Sequence, residues 1–152
     1  MRIVIDDLSS PQIAQFLEQH IEDMRSVSPP ESKHALDLDG LRQRDVTFWT
    51  GWLDGELVSC GALKRLDDAH AELKSMRTSA QHRGAGIGAL LLRHILAHAS
   101  ERNFKRISLE TGSMDFFVPA RQLYRKAGFV ECSPFADYAE DPNSVFMTLT
   151  LA

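Results

Sequence analysis

Cysteine is scarce in this chain. The two present, Cys60 and Cys132, form no CxxC pair, which argues against a disulfide framework or a thiolate metal cluster and points to a reduced, cytoplasmic protein. Long apolar runs are missing too. None approaches the roughly 18 residues that a membrane-crossing helix needs, so no membrane partner is expected. The opening MRIVIDDLSS has one arginine and turns acidic after three apolar residues, unlike a signal or transit peptide. Nor is there a basic block: 17 Lys and Arg stand against 21 Asp and Glu, a formal charge of −4, so nucleic acid is not an expected partner. Repeats and low-complexity tracts are also absent.

What remains is an ordinary globular composition over 152 residues, the size of one domain spanning 1–152 with one core. RIVI at 2–5 reads as a short strand. SSPQIAQFLEQHIEDMR follows as a helix, with Ser9 or Ser10 as N-cap, Pro11 in the first turn, and Ile13, Phe16, Leu17, His20, Ile21 and Met24 at helical spacing. Pro29 and Pro30 break the chain before a short helix near Ala35–Leu41. VTFWTGWL and ELVSCGALKRL flank Asp54-Gly55, a hairpin signal. HAELKSMRT then alternates Ala71, Leu73 and Ser75 against Glu72, Lys74 and Met76, as a third strand of an antiparallel meander.

A long helix is predicted from about Ile87 to Arg102, buried through Ile87, Leu90, Leu91, Ile95 and Leu96. RISLETG at 106–112 is a strand. FFVPARQLYRKAGF holds a shorter helix capped by Gly128, and FVEC and SVFMTLTL are two more strands. The order β-α-(α)-β-β-β-α-β-α-β-β describes an α/β domain with a mixed sheet.

The segment QHRGAGIGAL, residues 81–90, places Gly84, Gly86 and Gly88 at the mouth of the long helix. Each glycine inside a helix costs about 1 kcal/mol against alanine. The compensating gain is anion binding by bare N–H groups at the positive end of the helix dipole. No GxxxxGK[ST] exists, which excludes a P-loop. Gly84, Gly86 and Ala89 do satisfy G-x-G-x-x-A, and Glu110 falls about 20 residues further on, as a dinucleotide fold requires. Two features oppose that reading. TSAQHR separates the glycines from the preceding strand, and a meander precedes them where βαβ units belong.

Arg83-Gly84-Ala85-Gly86-Ile87-Gly88 matches [RQ]-x-x-G-x-[GA] and resembles the acetyl-CoA signature of the GNAT acetyltransferase superfamily. Downstream, Ala120 to Phe129, ARQLYRKAGF, resembles the family's A-x-x-L-Y-x-x-x-G-F segment. SPPESKHALDL, SLETGSMDFFVPA and DPNSVFMTL look like those of a bacterial subgroup of small, single-domain members. The resemblance covers nearly the whole chain. It departs at one place: Phe117 stands where members often carry an asparagine that contacts the pantetheine arm.

The resemblance implies a mixed, mostly antiparallel sheet of six to seven strands flanked by helices and splayed between strands 4 and 5. It implies an acetyl-CoA-dependent N-acetyltransferase that transfers directly, in a ternary complex, to a primary amine of a small molecule. The N–H groups from Gly84 through Ala85, Gly86, Ile87 and Gly88 to Ala89 are expected around the pyrophosphate, with Arg83 adding a charge-assisted bond. The backbone of Met76 and Thr78 is expected to bond the pantetheine arm, with an N–H near Met76 as oxyanion donor. Tyr124 is expected against the thioester sulfur as general acid. Glu72 is the first candidate base and Glu110 the second.

For the acceptor pocket, Glu31 and His34 in the proline-flanked loop and Lys74 and Arg77 on the fourth strand are candidates. That mixture suits an amino-acid-like acceptor. Alternation places Lys74 and Arg77 on opposite faces, so one of them at most serves. Cys60 is expected to be buried and inert. His94 and His98, four apart, lack a third ligand, and no metal is expected. A homodimer is compatible with the resemblance. The rival of another class is a non-catalytic acyl-CoA-binding sensor, which needs the glycines but neither Tyr124 nor a base.

Overall fold

The computed structural model describes residues 1–25 and 38–151, so Glu31 and His34 lie outside the described residues. Its strands are β1 (Arg2–Ile5), β2 (Val46–Leu53), β3 (Glu56–Arg65), β4 (His70–Thr78), β5 (Arg106–Gly112), β6 (Val130–Cys132) and β7 (Ser144–Thr150). Its helices are α1 (Pro11–Arg25), α2 (Leu38–Leu41), α3 (Ile87–Glu101) and α4 (Val118–Lys126). The seven strands form one sheet in the order β1-β2-β3-β4-β5-β7-β6. β4 and β5 are parallel and the other neighbours antiparallel. Among the described residues no helix is long and apolar enough to cross a membrane.

Local chemistry accounts for the element ends. Asp54 and Gly55 have φ of 50° and 81°, the pair of positive values that a type I′ hairpin turn requires. Ser10 caps α1, its Oγ accepting the Gln12 N–H at 3.2 Å, and Pro11 opens the helix. Gly128, at φ 106°, follows α4 in the left-handed region that ends helices.

The sheet buries a core on each face. On one face α3 and α4 pack Leu91, Ile95 and Tyr124 against Trp49, Leu73 and Leu109. On the other, α1 and α2 pack Ile13, Leu17 and Leu41 against Phe48, Cys60 and Ala62. The buried stripe of α3 differs from the one expected. Leu92 and Ala99 are buried, whereas Leu90 is 46% exposed and Leu96 only partly covered. Leu90, one turn after the Gly86 cap, faces outward.

Strict alternation along β4 also fails. The register passes from Ala62↔Lys74 to Cys60↔Arg77, so three steps of β4 oppose two of β3. The extra residue is a bulge at Ser75, held at φ 56°. Directly paired residues share a face, and Cys60 and Ala62 lie on the same one. Lys74 and Arg77 therefore project from the same face, not from opposite faces. Gly61 opposite the bulge makes room for it: a Cβ there would lie 2.5 Å from Met76 Sδ.

Candidate active site

Beyond Leu73↔Leu109 the parallel pairing stops. β4 continues to Thr78 beside β3, and β5 continues to Gly112 beside β7. The strands part as the resemblance implied, leaving the inner edge of residues 74–78 with no strand beside it among the described residues.

The glycine segment stands above this gap. Gly84 and Gly86 have φ of 82° and 80°, and a Cβ built on either would meet no atom of the described residues within 4 Å. Neither glycine is there for packing. Their backbone conformation demands glycine, and the space around them is open. The first N–H of α3 to find a helical acceptor is that of Leu90, on the Gly86 carbonyl at 3.1 Å. Among the described residues, no N–H from Gly84 to Ala89 has an acceptor within the chain. Six consecutive free donors at a helix N-terminus fit a pyrophosphate. Arg83 lies beside them, Nε on the Thr78 carbonyl at 3.3 Å and a terminal nitrogen 3.9 Å from Asp23.

Two titratable groups approach the gap from opposite faces. Glu110 is the first residue of β5 past the last pairing with β4, on the face of Phe146, its partner on β7. Burial pushes its carboxyl up to about 7, with Glu72 and Asp141 adding to the rise while Ser144 and Lys74 oppose it. Tyr124 comes from α4 on the other face, 6% exposed, its ring edge-on to Phe129. Burial raises its pKa above the ordinary phenol value, and the charge of Glu110 raises it further.

Glu72, buried at 4% exposure, is already engaged. Its Oε2 accepts from Lys74 Nζ at 3.0 Å and from the Tyr138 hydroxyl at 2.5 Å, and Lys74 also reaches that hydroxyl at 3.0 Å. Tyr138 itself, packed with Phe135 and Phe146, is held neutral, its pKa raised by burial and then by the charge of Glu72. Tyr138 is a candidate-site residue that sequence reasoning missed. It lies 66 positions from Glu72, in a loop with no motif, and an aromatic in a Pro- and Asp-bearing loop was its only signal.

Arg77 is directed to α1. It donates to Asp23 at 2.6 Å and lies over the Phe16 ring at 5.1 Å. Phe117 packs within its own loop. It closes a short 3-10 turn at Asp115–Phe117, and its ring covers Gly112, where a Cβ would fall 2.1 Å away. Arg121 ties the same loop to α4 through the carbonyls of Gly112 at 2.6 Å and Met114 at 3.1 Å. Cys60 is buried, its thiol pushed up to about 12, and it donates to the Ser75 carbonyl at 3.2 Å. His98 stacks edge-on against Trp49 at 4.9 Å.

The Acetyltransferase (GNAT) family model matches residues 13–129. The chain belongs to the GNAT acetyltransferase family. The N-acetyltransferase YsnE of Bacillus subtilis is 54% identical over 151 residues, covering 99% of this chain and 100% of that protein. The N-acetyltransferase YedL of Escherichia coli is 50% identical over 149 residues, covering 98% and 94%. Among solved structures, one from Klebsiella pneumoniae described as an acyl-CoA N-acyltransferase superposes with a TM-score of 0.81 at 26% identity, covering 99% and 97%. A GNAT acetyltransferase of Elizabethkingia anophelis with acetyl-CoA bound shares the fold at a TM-score of 0.65 and 16% identity, covering 99% and 97%. This GNAT chain is thus an acetyltransferase enzyme, and acetyl-CoA is the cosubstrate that its family implies.

Proposed function

We propose that this GNAT enzyme transfers the acetyl group of acetyl-CoA directly to a primary amine of a small molecule within a ternary complex. One observation carries the reading: Glu110 and Tyr124, a carboxylate with its pKa near neutrality and a neutral phenol, converge where β4 and β5 part.

The free N–H groups from Gly84 to Ala89 hold the pyrophosphate, each charged bond contributing about 1.5–3 kcal/mol, and Arg83 adds to them. The inner edge of β4 from Met76 to Thr78 pairs with the pantetheine arm as a further strand would. An N–H near Met76 polarises the thioester oxygen, a contact worth about 2.7–4 kcal/mol in comparable sites. Bound acetyl-CoA supplies the activated acetyl thioester.

Glu110 is the base, ahead of Glu72. A base works best with a pKa near the working pH, and Glu110 meets that condition. Glu72 is engaged by Lys74 and Tyr138 and serves to fix them. Glu110 takes the proton of the attacking amine, and Tyr124 gives its proton to the departing sulfur. The two transfers are coupled. The charge of Glu110 raises the pKa of Tyr124, so neutralising Glu110 removes that rise and makes the phenol a better acid when the thiolate leaves.

The test is release of free thiol from acetyl-CoA in the presence of amino acids, polyamines, aminoglycosides and peptides, followed by initial-velocity patterns for any acceptor found. Amine-dependent release with intersecting patterns is expected. Coenzyme A binding without release to any amine would make the chain a binding module instead. Parallel patterns would replace direct transfer with an acetyl-enzyme.

A further inference from the structure

Arg77 is a buried cation with at least three of its five N–H donors unused among the described residues. Its side chain is 6% exposed, and one terminal nitrogen, Nη1, donates to Asp23 at 2.6 Å. Nε is buried and has no partner among the described residues. Among the described residues Nη2 makes no hydrogen bond either and, unlike Nε, it is not fully buried. Nε–H and the adjacent Nη2–H point the same way, a planar fork that matches the two oxygens of a carboxylate. An unpaired buried donor is destabilising, and buried polar groups are otherwise almost always satisfied. Phe16 holds the guanidinium from below at 5.1 Å, so the fork is fixed rather than free to swing out.

Among the described residues, the ion pairs around it set two guanidinium groups against one carboxylate. Asp23 faces two guanidinium groups, Arg77 at 2.6 Å and Arg83 at 3.9 Å. His20, on α1 beside Arg77, is kept neutral, pushed down to about 4 by burial and then by the charge of Arg77. The position is apt as well. The bulge at Ser75 turns Arg77 to the face that also bears Lys74 and Glu72, with Glu110 on the same face of β5. Lys74, the other candidate reader, already donates to Glu72 and Tyr138.

Building on the transferase reading above, we propose that Arg77 determines acceptor specificity. Its Nε–Nη2 edge binds the carboxylate of an acceptor that carries both an amine and a carboxylate, an amino acid or a close relative, and so aims the amine at Glu110.

The probes are a homologous series, glycine, β-alanine, γ-aminobutyrate and lysine, each paired with its decarboxylated amine. Each is assayed for thiol release from saturating acetyl-CoA with wild type, Arg77→Gln and Arg77→Lys. At least one amino acid should exceed its amine in kcat/KM, and the spacing that does so reports the distance from the fork to the acetyl group. Both variants should lose that preference, the amino acid falling about 10- to 100-fold, as expected for a lost charged hydrogen bond, and the amine hardly changing. Arg77→Lys keeps a cation opposite Asp23 but lacks the planar fork, so it answers the question even where Arg77→Gln folds poorly. Amines turned over as well as or better than their amino acids by wild type overturn the carboxylate reading and leave the transferase standing. A raised KM for acetyl-CoA with an unchanged preference also overturns it, because Arg77 would then serve the phosphates beside Arg83. Coenzyme A binding with no turnover of any probe or of the broader amine panel overturns the inference and the transferase reading together.

Discussion

Glu110 and Tyr124 reach the same gap from opposite faces of one sheet, and the carboxylate of the first raises the pKa of the second. No local feature of either segment creates this pairing. It exists because β5 leaves β4 after Leu109 while α4 packs Tyr124 into the core on the other face.

Tyr124→Phe keeps the ring and its contact with Phe129 but removes the acidic proton. It should lower kcat by about 10²–10⁴ with little change in KM for acetyl-CoA. Steady-state kinetics decide the matter, since wild-type turnover would reduce Tyr124 to a packing residue.

Ala85→Asp is the substitution of choice for the cofactor site. Asp at Gly86 would be strained at φ 80°, so a loss of binding there would be ambiguous. Ala85 is exposed and does not have a positive φ, and an acid at a helix N-terminus favours the helix. Affinity for coenzyme A by calorimetry should fall at least tenfold while the melting temperature stays within a degree or two. Unchanged affinity would remove the phosphates from this helix.

Glu110 also sets a pH dependence of stability. Its folded pKa, about 7 against an ordinary 4.5, means the folded state holds a proton that the unfolded chain has released. Stability is therefore lost as pH rises from about 4.5 through 7. Glu110→Gln cannot ionise. Relative to wild type its melting temperature should be higher at pH 8 than at pH 4.5, and a difference that does not change between these pH values would contradict the raised pKa.

Much of this architecture was legible in the sequence because its signals are local. Asp54-Gly55 makes the hairpin through two positive φ values, and Gly84 and Gly86 open α3 in a conformation that other residues resist. What was not legible depends on partners far along the chain. The bulge at Ser75 arises from pairing with β3 around Gly61, and it moves Arg77 to the face of Lys74. Tyr138 meets Glu72 only because the loop before β7 folds back over the sheet. The choice of Leu92 over Leu90 as a core residue depends on how α3 sits once its first turn is set.

The burial of Leu92 in place of Leu90 has a direct check. Leu92 is 2% exposed and Leu90 46%. Leu92→Ala should cost about 2–5 kcal/mol in urea unfolding, and Leu90→Ala within about 0.5 of zero. Equal costs would restore the stripe expected from periodicity.

The pH profile of kcat/KM for the amine acceptor, in wild type and in Glu110→Gln, tests the chemistry most directly. Wild-type activity should fall as pH drops below about 7, where Glu110 gains its proton. In Glu110→Gln that limb should vanish and the rate at pH 8 should drop about 10²-fold or more. The same profile and rate in both proteins would show that Glu110 does not take the proton of the amine.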